Sequence, residues 1–139
     1  MDPQKPFIIV VDDDEDRYLL HYSFAEMGLD DNVKFFGDAL QFIKYTELIC
    51  SLNVKPSLII LDYKMPYMNG KALVNYLKSN AYFKEIPLIV LSASLTDDTR
   101  KKLFELGVNG CYNKAENYPE VISELTEIVK IAAPAENKN

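Results

Sequence analysis

Leu58-Ile59-Ile60-Leu61-Asp62 decides the architecture. Four consecutive branched apolar residues, introduced by Pro56-Ser57 and followed by the turn-rich stretch Pro66-Tyr67-Met68-Asn69-Gly70, read as the strongest strand in the chain. It ends on an acid, which is costly to place at the tip of so hydrophobic a strand unless it serves a purpose. Working outward, Leu88-Ile89-Val90-Leu91 repeats the pattern and ends at Ser92, and Phe7-Ile8-Ile9-Val10-Val11 repeats it and ends at Asp12 and Asp13. Val33-Lys34-Phe35-Phe36 and a weak run from Val108 to Asn113, closed by Lys114, supply two more strands.

Helical periods lie between and after them. Arg17 to Met27 carries Leu20, Phe24 and Met27 at helical spacing and stops at Gly28. Asp38 is a good N-cap, with Gln41 three residues on, for a helix that turns Phe42, Ile43, Thr46, Ile49 and Cys50 inward. Leu73, Val74 and Leu77 mark a third helix. Thr96 caps a fourth, from Asp97 to Leu106, closed by Gly107. Pro119 suits the first turn of the last, striped by Val121, Ile122, Leu125, Ile128 and Val129. Regular strand–helix alternation implies an α/β fold: a five-stranded parallel sheet with right-handed crossovers and helices on both faces. The expected domain is 1–132, with 133–139 a loose polar tail.

Whole-chain properties narrow the function. The 139 residues suffice for one core, and 48% hydrophobic with 26% charged is ordinary globular composition. A net charge of −6 argues against nucleic acid as a partner. No run approaches the roughly 18 apolar residues of a membrane span, so no membrane role is expected. Met1 to Pro6 lacks the basic and apolar regions of a secretory signal, and Cys50 and Cys111 have neither disulfide-framework nor metal-ligand spacing. They read as reduced, semi-buried residues, and the expected location is cytoplasmic.

Ligands of open parallel sheets bind beyond the carboxyl ends of the strands. Those ends carry Asp12, Asp13, Asp62, Ser92 and Lys114. Crowded carboxylates repel unless a cation shares them, and hard oxygens suit Mg²⁺. A carboxylate left free can attack phosphorus, while Lys114 and Ser92 can meet the equatorial oxygens where charge spreads. Taken singly these residues have ordinary readings: Asp12 and Asp13 as helix-capping acids, Asp62 as a turn residue, Lys114 as a surface lysine. Asp14, Glu15 and Asp16 read as solvated first-turn acids, and His21, the single histidine, as a structural residue.

Together the motifs resemble the receiver domain of two-component response regulators, of the stand-alone type, from about Lys5 to Ile131. The resemblance rests on Val10-Val11-Asp12-Asp13, on Leu61-Asp62-Tyr63-Lys64-Met65-Pro66 with Gly70, on Leu91-Ser92-Ala93 and on Gly110-Cys111-Tyr112-Asn113-Lys114. The intervals of 30 residues from Asp62 to Ser92 and 22 from Ser92 to Lys114 suit it as well. It implies the flavodoxin-like (βα)5 fold and a phosphorelay function. Asp62 is then the phosphoacceptor, and Asp12, Asp13, Asp62 and the backbone carbonyl of Lys64 hold Mg²⁺, for which Mn²⁺ can substitute. Ser92 is the switch hydroxyl, Lys114 the phosphate-pairing cation, and Lys64 and Ser94 modulate the lifetime of the phosphate. A receiver is a phosphoacceptor that assists its own phosphorylation and dephosphorylation, not an enzyme in the ordinary sense. Its implied partners are a sensor histidine kinase or phosphotransfer protein and an unidentified downstream protein, with homodimerisation open.

Two positions depart from the family. Ala115 replaces a proline, so a trans bond and a differently shaped loop are expected there. Cys111 stands where the family has its switch aromatic, and Tyr112 should point to the opposite face of the strand. Two other functions compete. One is a haloacid-dehalogenase-type Mg²⁺ phosphotransferase using Asp12 of Asp12-Asp13-Asp14, which lacks the late acidic pair such enzymes need. The other is a receiver-like scaffold that works without phosphorylation, against which the costly acidic set argues.

Overall fold

In a computed structural model, the described residues are 4–12, 17–63, 70–93, 95–114 and 118–136. The order is β1 (Ile8–Val11), α1 (Tyr18–Glu26), β2 (Val33–Phe36), α2 (Ala39–Ser51), β3 (Leu58–Asp62) and α3 (Gly70–Ser79). There follow β4 (Leu88–Ser92), α4 (Asp97–Leu106), β5 (Gly110–Asn113) and α5 (Tyr118–Glu136). The strands form one parallel sheet in the order β2-β1-β3-β4-β5.

The two-residue alternation of each strand explains the layers. Ile9, Val11, Ile59, Leu61, Leu88, Val90 and Cys111 enter one core with Phe42 and Ile49 of α2, Leu73, Val74 and Leu77 of α3, and Leu103 of α4. Ile8, Val10, Leu58, Ile60, Ile89 and Leu91 enter the other with Leu20 and Phe24 of α1 and Val121, Leu125 and Ile128 of α5. Right-handed crossovers require this division, because the chain moves one way from β1 to β2 and the other way from β2 through β5. β3 is buried from end to end, and each of its aliphatic side chains contributes about 2 kcal/mol by leaving water.

Local signals set most helix ends. Asp38 accepts a 2.8 Å hydrogen bond from the Gln41 N–H, so Asp38→Ala should cost about 1 kcal/mol of stability, measurable as a lower urea midpoint. Thr96 caps α4 in the same way, accepting from the Thr99 N–H at 3.1 Å. Gly107 follows α4 with φ +104°, a left-handed conformation that a side chain would oppose.

Three details correct the expectations. Cys50 is exposed, because Phe42, Thr46 and Ile49 already define the buried stripe of α2 and position 50 lies about 100° beyond Ile49. β5 starts at Gly110 rather than Val108, since the Val108 N–H is spent on the Leu103 carbonyl in closing α4. α5 continues through Glu136 without a break at 132; Ala132, four residues after Ile128, is fully buried and extends the apolar stripe. No helix among the described residues is long and apolar enough to cross a membrane.

Candidate functional site

Strand register brings the chemistry together. β1 and β3 are neighbours, and Val11 pairs with Leu61, so the next residues, Asp12 and Asp62, leave the sheet side by side. They do so where the strand order reverses, the crevice where parallel sheets bind ligands. By alternation Asp12 follows Val10, Asp62 follows Ile60, and Lys114 follows Tyr112, all on the α1/α5 side. β5 ends with the Lys114 N–H donating to the Ser92 carbonyl at 2.8 Å, which sets the lysine stem at the same rim.

Among the described residues the result is a cluster of three groups. Lys114 Nζ lies 2.9 Å from Asp12 Oδ2 and 3.0 Å from Oδ1, and 3.2 Å from Asp62 Oδ2. Asp12 and Asp62 are only 2% and 6% exposed, and Ser92 is fully buried. Among the described residues two buried carboxylates share one ammonium, two negative charges against one positive in a poorly solvated place. Such an arrangement is expensive unless a further cation joins it. The oxygens are hard and, among the described residues, no sulfur or imidazole takes part, a donor set that fits Mg²⁺ or Mn²⁺ rather than zinc. Among the described residues no third acidic, histidine or cysteine side chain completes a metal-binding group. Asp13, Lys64, Ser94 and Ala115, to which roles or a changed loop were assigned from sequence, lie outside the described residues.

The neighbours of this cluster hold it in place. The Asp12 N–H donates to the Phe36 carbonyl at 2.9 Å and the Tyr63 N–H to the Leu91 carbonyl at 2.8 Å. Gly70 donates its N–H to the Tyr63 carbonyl at 2.9 Å. A Cβ on Gly70 would stand 2.5 Å from that oxygen and 2.6 Å from the Tyr63 Cα. Gly70→Ala is therefore expected to lower stability by about 2 kcal/mol, read as a fall in melting temperature, since backbone rather than a flexible side chain must yield.

Cys111 is buried in the core toward α4, and burial pushes its thiol up, only partly offset by Arg100. Tyr112 packs on the other face, as alternation required. Arg100 of α4 donates to the Cys111 carbonyl at 2.8 Å. His21 stacks on Phe35 with ring centroids 3.6 Å apart, and burial followed by the Arg17 charge lowers its pKa. It packs against β2, as a structural residue does. Sequence reading missed Arg17, which donates from Nη1 to the Asp12 carbonyl at 3.3 Å. No pattern in a single sequence marks an arginine for a backbone carbonyl.

The family model of the response regulator receiver domain matches residues 8–126. The chain belongs to this family. Receiver domains are signalling domains, and this one is a phosphorelay response regulator. Response regulator Rcp1 of Synechocystis sp. is 25% identical over 91% of this receiver and 87% of that protein. Chemotaxis protein CheY1 of Helicobacter pylori is 28% identical over 88% and 94%. Hybrid signal transduction histidine kinase D of Dictyostelium discoideum is 28% identical over 90% of this receiver, which spans only 8% of the kinase. The fold matches the phosphorylated cyanobacterial phytochrome response regulator RcpA with a TM-score of 0.82, 24% identity and coverage of 94% and 96%. It also matches the Mn²⁺-bound form of Rcp1, with a TM-score of 0.66, 22% identity and coverage of 96% and 94%.

Proposed function

We propose that this receiver takes a phosphoryl group onto Asp62 from the phosphohistidine of a sensor histidine kinase or phosphotransfer protein. One observation carries the assignment: Asp62 and Asp12 are buried carboxylates at adjacent strand ends, both within 3.2 Å of Lys114 Nζ. An Asp62 oxygen forms the bond to phosphorus as the phosphorus–nitrogen bond of the donor breaks, and the imidazole leaves with the electron pair. Lys114, already at the rim, moves its charge onto the phosphoryl oxygens, and Ser92 donates a hydrogen bond to them. Asp12, Asp13, Asp62 and the Lys64 carbonyl are the proposed ligands of Mg²⁺. When bound, this ion supplies positive charge that offsets the negative charge of the transferred group. Lys64 and Ser94 are the proposed modulators of phosphate lifetime.

Family membership favours Asp62 over Asp12 as nucleophile. So does the geometry, since both Asp12 oxygens lie within 3.0 Å of the ammonium. Output through a downstream protein contact, in the cytoplasm, follows from the same reading.

Intact-mass spectrometry after incubation with acetyl phosphate tests the chemistry. The expected result is one added phosphoryl group with Mg²⁺ or Mn²⁺ and none with excess chelator. If neither the adduct nor beryllofluoride binding is found, the phosphorylation-independent scaffold takes its place.

A further inference from the structure

Phe42, Thr46 and Ile49 turn α2 toward the sheet. At about 100° per residue, Lys44 and Leu48, each two residues from Thr46, point away from it. Leu40, Lys44, Leu48 and Leu52 follow one another at intervals of four and form one ridge on the outer face. Leu40, Leu48 and Leu52 are 55%, 51% and 62% exposed, and Val54 just beyond the helix is exposed as well. These side chains do not belong to a frayed end. Asn53 takes a left-handed conformation with φ +58°. Its N–H donates to the Cys50 carbonyl at 3.1 Å, and the Val54 N–H donates to the Ile49 carbonyl at 2.9 Å. The two bonds close the helix, so a fixed backbone presents the leucines to solvent. Isolated exposed apolar residues are ordinary, whereas three along one ridge suit contact with another molecule.

We propose that the outer face of α2 is a homodimer contact, taken up by α2 of a second copy running antiparallel to it. The charges on the face select this occupant. Lys44 and Glu47 are both exposed, and among the described residues neither forms an ion pair. A twofold axis passing between them sets each lysine against the glutamate of the other copy, two opposite-charge contacts from one helix. It also places the two Leu48 side chains on the same side of the axis, about 7.5 Å apart along the helices, where they can pack together. A partner of one charge sign would be attracted by one of these residues and repelled by the other. The chain carries a net charge of −6, so two copies repel over most of their surfaces and approach best through a face whose charges cancel. The 13 residues of α2 span about 20 Å, which limits the contact to the weak class of interfaces below about 1,200 Å². None of the groups at the strand ends takes part, so the inference goes beyond the phosphoryl chemistry and stands without it.

Sedimentation equilibrium of the full chain, without metal or phosphoryl donor, tests the contact at concentrations up to about 1 mM, a range suited to a weak interface. Wild type should pass from monomer to dimer across this range. Leu48→Glu should weaken dimerisation roughly tenfold, because it removes apolar contact and puts two carboxylates beside each other. Lys44→Glu and Glu47→Lys each set like charges together twice and should each weaken it roughly tenfold. The double variant Lys44→Glu/Glu47→Lys exchanges the charges and should return the dissociation constant to within about twofold of wild type. All three positions are exposed, and an unchanged urea midpoint shows that each variant keeps the fold. A chain that stays monomeric throughout overturns the proposal and leaves the face to a different protein. A dimer that Leu48→Glu does not weaken uses another surface, which overturns it equally. If the single charge variants leave the dimer unchanged, or if the exchange does not rescue them, the antiparallel pairing is wrong and the proposal falls with it.

Discussion

Asp62→Asn should abolish phosphoryl uptake and leave a domain at least as stable as the wild type. The loss follows from chemistry, because a neutral amide has no anionic oxygen to attack phosphorus. The stability follows from crowding. Asp62 is 6% exposed and shares one ammonium with Asp12, which holds the shorter contacts at 2.9 and 3.0 Å. Removing one of two buried like charges relieves repulsion and desolvation while Lys114 keeps its better partner, a gain of about 1 kcal/mol. Intact mass and urea denaturation on one preparation check both halves. A variant that still gains a phosphoryl group, with uptake lost instead in Asp12→Asn, would move the nucleophile to Asp12.

Lys114→Met should act in the opposite sense on stability. The thioether chain fills the space of the lysine stem, so packing changes little, but two nearly buried carboxylates lose their common cation. Breaking a buried pair by removing one partner costs several kcal/mol, and the lysine's residual exposure at the rim reduces this to about 2 kcal/mol. The same change should tighten divalent-cation binding, because the site becomes more negative, while slowing phosphoryl uptake. Melting temperature with and without Mg²⁺ separates these effects: the metal-free variant melts lower than wild type, and the metal raises it by more. An unchanged metal-free melting temperature would show that water already screens the two carboxylates.

The architecture was legible because its determinants are local. Each buried strand is written as a run of branched residues, each helix as a period, and each strand end as a polar residue that interrupts apolar sequence. Asp38, Thr96 and Gly107 cap or close their helices with nearest-neighbour chemistry, so no tertiary knowledge was needed to find them. Parallel topology then put the strand ends at one rim, where the side chains of Asp12, Asp62 and Lys114 meet and Ser92 ends the neighbouring strand. What escaped depends on packing between distant segments. Cys50 was placed inward by a helical count that tolerates one position of error, and only the docking of α2 on the sheet decided the face. Ala132 suits both a helix and a loose end, and its burial in the core on the α1/α5 side of the sheet comes with the length of α5. Arg17 on the Asp12 carbonyl and Gly70 on the Tyr63 backbone are contacts with peptide groups, which every residue carries and no sequence pattern announces.

The Lys114–Asp12 contact joins residues 102 positions apart, and this bears on when the protein becomes competent to receive a signal. During synthesis the two carboxylates emerge well before their cation. A ribosome-bound chain that stops short of β5 can hold acids at the strand ends but has no ammonium to align there. On the proposed mechanism, competence to take a phosphoryl group therefore arrives only once β5 and the residue after it have joined the sheet.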